Sequence, residues 1–166
     1  MTRRSRGREV ALQVLYQVEQ NPEVGPEEVR QFIERRLLGD RKLCEFALEL
    51  IAGVKEHQVR IDGLISRVAE NWRLDRMAAI DRNILRLGAY EMIFCPDVPA
   101  KVAINEALEL AKRYSTAQSS RFVNGILDRM LQWQGQAPMQ QETDARDQLE
   151  KAKPSTPEPP AGTEGA

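Results

Sequence analysis

Arg3, Arg4, Arg6 and Arg8 fall within the first eight residues, and Gln13 and Tyr16 follow closely behind them. Guanidinium groups contact phosphate in a bidentate fashion and stack on bases, while aromatic rings and amides stack on or hydrogen-bond to exposed base edges. These residue types therefore point to nucleic acid, single-stranded RNA in particular. Two plainer readings compete: a solvated basic terminus for the arginines, and packing at the edge of a helix interface for Tyr16.

Catalytic chemistry finds no comparable set. The sequence contains no glycine-rich phosphate cradle, no GxSxG, no CxxC and no HExxH, and His57 is its one histidine. Cys44 and Cys95 lie far apart, without a metal-ligand partner, and read as core or half-core thiols in a reducing cytoplasm. No metal or cofactor is expected, and the protein is expected not to be an enzyme. Glu106 and Glu109 share the solvent arc of one helix with Lys112 and Arg113, which surface pairing explains. Glu91 is the odd carboxylate, because it lies in an apolar stripe between Ile80 and Ile84. A buried carboxylate needs donors, and the expected ones are backbone amides opening the Val98 to Val102 segment.

The formal net charge of −1 conceals an uneven distribution. Residues 135–166 carry six acids and three bases, a net of −3, which leaves the preceding 134 residues at +2. A mildly basic body thus has a concentrated basic arm and an acidic tail. No stretch approaches the roughly 20 apolar residues of a bilayer span, and no signal-peptide core follows the N-terminus, so a soluble cytoplasmic protein is expected.

Positioning these groups falls to a series of amphipathic helices. Helix 1 is expected from about Arg4 or Arg8 to Gln20, with Val10, Ala11, Leu12, Val14, Leu15 and Val18 on its apolar arc. Gln13, Tyr16, Gln17 and Gln20 share the other side, joined by Arg6 if the helix reaches back that far. Helix 2 starts at Pro26 with Glu27 and Glu28 behind it, and runs to Leu38, with Gly39 as its stop. Asp40 suits the N-cap of helix 3, whose pattern continues to Val68 with a kink near His57 or Gly63. The period breaks at Asn71 to Asp75, a soft boundary between an N-terminal bundle (1–72) and a C-terminal bundle (73–134). Helix 5 is expected over Arg76 to Phe94, followed by a turn at Asp97 and Pro99.

Two further helices close the body. The first carries Ala103, Ile104, Ala107, Leu110 and Ala111 inward; the second carries Phe122, Val123, Ile126, Leu127 and Met130. Between them the polar break Ser115 to Ser120 fits a capping box of Ser115 with Gln118, leaving Ser119 and Ser120 free. Gly125 costs about 1 kcal/mol relative to alanine inside a helix, and close approach of another backbone is one reason to tolerate it. From Gly135 onward the composition is that of a disordered acidic, proline-rich tail, with a transient helix around Asp144 to Lys153. No alternating strand pattern occurs, so the fold class is all-α, with about seven helices.

The run VAINEALELA from Val102 to Ala111, with RFVNGILD from Arg121 to Asp128, resembles the family of the bacterial transcription antitermination factor NusB. REVALQVLY from Arg8, DRNILRLGAYE from Asp81 and DVPAKV from Asp97 agree with that family in the same order, so the resemblance covers about Arg3 to Leu131. It implies two small helical bundles and a non-enzymatic role. Members bind boxA RNA together with NusE, a small-subunit ribosomal protein, and join other Nus factors on the RNA polymerase elongation complex, so that ribosomal RNA transcription resists termination. By position, the resemblance implies an RNA-facing set of Arg3, Arg4, Arg6, Arg8, Gln13 and Tyr16, with Ser119, Ser120, Arg121, Phe122 and Asn124 from the break and last helix. It implies a NusE-facing surface around Asp81, Arg82, Leu85 and Tyr90. Many relatives carry an acid where this chain has Gln118, and a neutral amide there removes a charge that would repel phosphate.

Two other classes compete. A helical adaptor that binds only proteins is one. A relative of the N-terminal domain of ribosomal RNA cytosine methyltransferases is the other, opposed by the lack of any Rossmann glycine run or catalytic cysteine motif. Periodicity leaves monomer and homodimer equally open.

Overall fold

The computed structural model describes residues 2–69 and 74–136, with the side chains of residues 135 and 136 excepted. Among the described residues there are seven α-helices and no strand: α1 (Arg3–Gln20), α2 (Pro26–Arg36), α3 (Arg41–Glu56), α4 (Gln58–Val68), α5 (Ala79–Phe94), α6 (Ala100–Tyr114) and α7 (Ala117–Gln136). A 3-10 turn at Leu74–Arg76 precedes α5, which begins at Ala79, three residues after the expected start at Arg76. The expected boundary at Asn71 to Asp75 falls partly, and the tail with its transient helix almost wholly, outside the described residues.

Local chemistry accounts for most helix ends. Thr2 caps α1 by accepting from the Ser5 amide, which starts the helix at Arg3 and puts the whole arginine arm on helical backbone. Asp40 caps α3 through the Leu43 amide, as its residue type predicts. The kink between α3 and α4 falls at His57 rather than Gly63. At the α6–α7 break the cap is Thr116, whose hydroxyl accepts from the Ser119 amide at 3.0 Å. The expected capping box of Ser115 and Gln118 is therefore not the one formed, because α7 begins two residues after Ser115 and Thr116 occupies the half-in position.

Helix α2 stops at Arg36, two residues before the expected end. The Gly39 amide reaches back to the Glu34 carbonyl and the Leu38 amide to that of Arg35, a closure that needs a left-handed residue after the cap. Leu38 takes that position at φ 53°, and Gly39 follows at φ 69°.

Residues Met1–Trp133 make up one compact unit. Helix α5 runs through its middle, packed against α1, α3, α4 and α6, and α1 packs most extensively against α3. The apolar faces read from periodicity line the core: Leu12, Leu15, Ala107, Leu110, Val123 and Leu127 are all buried. Gly53 on α3 is required by close packing, since a Cβ there would lie 2.1 Å from the Tyr90 ring. Among the described residues, nothing beyond the neighbouring turns of α7 lies within 4 Å of where a Gly125 Cβ would stand, so close approach of another of these helices does not explain that glycine.

Candidate nucleic-acid interface

Folding separates the four arginines of the arm. Arg8 and Glu91 are both almost fully buried, and the guanidinium donates to the two carboxylate oxygens at 2.7 and 2.9 Å. Glu106 lies 3.6 Å from the same guanidinium and also accepts from the Ser5 hydroxyl at 2.8 Å. Burial pulls the Arg8 pKa down, yet the hydrogen bonds and charge of Glu91, with that of Glu106, more than reverse it and leave it above the ordinary arginine value. Arg8 is thus withdrawn from the proposed RNA face, and the expected partners of Glu91 are replaced. The amides of Val98 and Val102 bond instead to the carbonyls of Cys95 and Pro99. The signal was in the spacing: Arg8 stands four and seven residues before Leu12 and Leu15, on the core arc.

The other three stay exposed but diverge. Arg3 forms an ion pair with Asp40, donating through Nε at 2.7 Å, and this hydrogen bond, with the charge, lowers the Asp40 pKa. Arg4 stacks its guanidinium 4.9 Å from the Phe46 ring centre, on the α3 side. Arg6 turns to α2 and donates to the Arg36 carbonyl at 3.1 Å. Among the described residues, Arg4 and Arg6 have no carboxylate within ion-pairing distance.

Gln13 is the junction of the site. Its amide nitrogen donates to the Tyr114 hydroxyl at 3.2 Å, while its oxygen accepts from Arg36 at 3.3 Å. Tyr114 in turn donates to Glu9, which also pairs with Arg113 at 3.2 Å. Burial and then the Glu9 carboxylate push the Tyr114 hydroxyl pKa up, so it stays protonated as a donor. The polar side of α1 is in this way bonded to the end of α6, immediately before the α6–α7 break. Tyr16, 41% exposed, lies one turn beyond Gln13 with its ring open to solvent.

At the break, the Ser115 and Ser119 hydroxyls donate to the two oxygens of Asp81 at 2.6 and 2.8 Å. Ser119 is therefore not the free hydroxyl expected of it. Ser120 is half-buried, Arg121 is exposed, and Phe122 and Asn124 are half-buried on the first turns of α7.

The surface expected to face NusE changes more. Leu85 is fully buried and Asp81 is buried beneath the two serines, so neither presents a side chain to a partner. The physical reason is the central position of α5, covered by α1, α3, α4 and α6. Arg82 forms an ion pair with Glu19 and bonds the Leu74 and Met77 carbonyls at 3.3 Å. Tyr90 is half-buried between Gly53 and Phe94, with ring centres 5.7 Å apart.

The described residues hold no group of three or more His, Cys, Asp or Glu placed to bind a metal ion, and no helix among them is long and apolar enough to cross a membrane. The remaining feature with reach beyond the chain is the polar face joining α1, the end of α2 and the α6–α7 break. The model of the NusB family matches residues 5–132. The transcription antitermination protein NusB of Myxococcus xanthus is 48% identical over 133 residues, covering 78% of this chain and 95% of the relative. That of Sorangium cellulosum is 47% identical over 130 residues, covering 78% and 92%. Among solved structures, NusB of T. maritima superposes with a TM-score of 0.69 at 44% identity, over 78% of this chain and 90% of that one. A crystal structure of antitermination factors NusB and NusE in complex with double-stranded RNA superposes with a TM-score of 0.70 at 28% identity, over 78% and 96%. The chain belongs to the NusB family.

Proposed function

We propose that this protein is a transcription antitermination factor that binds boxA RNA together with NusE in the cytoplasm, and acts on the RNA polymerase elongation complex with other Nus factors by binding rather than by catalysis. The observation that carries the RNA-binding part is the Gln13–Tyr114 hydrogen bond, which joins the α1 face bearing Arg6 and Tyr16 to the α6–α7 break. A solved relative that pairs NusB and NusE with RNA supports the pairing with NusE. Arg6, Tyr16, Arg121 and Asn124 are the RNA-contacting residues in this reading, with Phe122 offering a ring at the edge of α7. Of the α5 set, Arg82 and Tyr90 are the side chains that are half-buried rather than buried, and they carry the NusE-facing reading.

Fluorescence anisotropy with boxA RNA, with and without NusE, tests the proposal. Expected are binding that NusE tightens, affinity that falls with salt, and a shallower salt dependence in Arg6→Ala as fewer counterions are released. Absence of binding in both conditions would overturn it in favour of a protein-binding adaptor.

A further inference from the structure

We propose that the C-terminal end of α2 is a second phosphate-contacting element, with Arg36 as its contact residue, continuous with the arm on α1. The arm supplies less free charge than its sequence suggests: Arg8 is spent on Glu91, Arg3 on Asp40, and Arg4 lies over Phe46. Arg6 is left, and the residue it meets is Arg36, which also bonds Gln13. Arg36 is exposed, holds the Gln13 oxygen through Nη2 at 3.3 Å, and offers its own carbonyl to Arg6 at 3.1 Å. Its guanidinium lies 5.9 Å from the Phe32 ring centre, which steadies it against the surface of α2. Among the described residues no carboxylate pairs with Arg36.

Two guanidinium groups without a carboxylate partner thus meet at the end of α2, that of Arg36 on the Gln13 amide and that of Arg6 on the Arg36 carbonyl, and like charges so placed favour an anion across them. The run RRLLGDRK from Arg35 to Lys42 also carries Arg35 and Lys42, and its one acid, Asp40, pairs with Arg3. A phosphodiester backbone fits better than a single anion, since the same face carries Gln13 and Tyr16, groups suited to bases.

This inference rests on the RNA-binding reading, and one titration separates them. The full chain is titrated with boxA RNA over a series of salt concentrations, alongside Arg36→Ala, Arg36→Lys and Arg30→Ala, with melting temperatures as a folding control. Arg36→Ala keeps the carbonyl that holds Arg6, so the neighbouring arginine stays in place. Its plot of log K against log salt is expected to be shallower by about 0.7, one single-strand phosphate contact. Arg36→Lys retains the wild-type slope, as does Arg30→Ala, whose arginine lines the groove between α2 and α3 with Glu34 and Glu45. An unchanged slope in a folded Arg36→Ala, or an affinity loss equal at every salt concentration, overturns the inference while RNA binding stands. No binding by the wild type overturns both.

Discussion

Arg8 and Glu91 each break the apolar pattern of a helix, and each is the other's explanation. Removing two charges from water costs several kcal/mol per ion, which paired geometry recovers only while both partners remain. Glu91→Gln is accordingly expected to lower stability by about 3 kcal/mol, at the low end for a broken buried pair because Glu106 still faces the guanidinium. Replacing both residues with apolar ones of similar volume should cost much less. Chemical denaturation of the three proteins checks the pair of expectations, and equal losses would refute the account. Periodicity revealed that Glu91 needed donors; it could not say that they stood 83 positions earlier. Arg8 was legible as a core-arc residue, but the cluster of arginines around it drew it into the arm.

At the level of single elements, the end of α2 shows a local rule met by an unusual residue. A left-handed residue costs leucine about 1 kcal/mol or more relative to glycine, and Leu38 adopts that conformation while 86% exposed. Leu38→Gly therefore relieves strain without emptying a core site. Set against about 0.5 kcal/mol for the added freedom of the unfolded chain, the net expected gain is about 0.5 kcal/mol, measurable as a small rise in melting temperature. A fall would mean that the leucine makes a contact the structure does not show. The glycine that marks this stop was readable, but its position in the turn was not: Gly39 takes the second left-handed place. The α6–α7 break behaves alike, since several hydroxyl residues in a row announce a cap without saying which of them serves. Thr116 does, and Ser115 and Ser119 are drawn instead to Asp81 on α5.

Across the whole compact unit, polar networks join helices that the core alone would leave free to slide. Glu19 on α1 meets Arg82, Asn83 and Arg86 on α5, and Arg86 grips Asp62 on α4 at 2.8 and 2.9 Å. Partial burial raises the Glu19 pKa, but the hydrogen bonds from Asn83 and Arg82 and the charges of Arg82 and Arg86 outweigh it, leaving it below the ordinary glutamate value. A carboxylate with a depressed folded pKa adds stability that is fully present above the unfolded value and is lost as pH falls through the folded one. Wild-type stability should therefore decline as pH drops below about 4.5, and Glu19→Gln should show a shallower decline. Thermal melts over that acid range decide it, and parallel curves would remove Glu19 from the account.

Helix number, most boundaries, the inward faces and the family resemblance were all present in the sequence, because they depend on spacing along one chain and on caps a few residues away. Which charges remain available to RNA was not. Helical periodicity gives the direction a side chain leaves its own helix, but not what waits on the facing one. Only the packing of α1 against α2, α3 and α5, and of α5 against α6, decided that Arg8 is buried, that Asp81 clamps the α6–α7 break, and that Arg36 meets both Arg6 and Gln13.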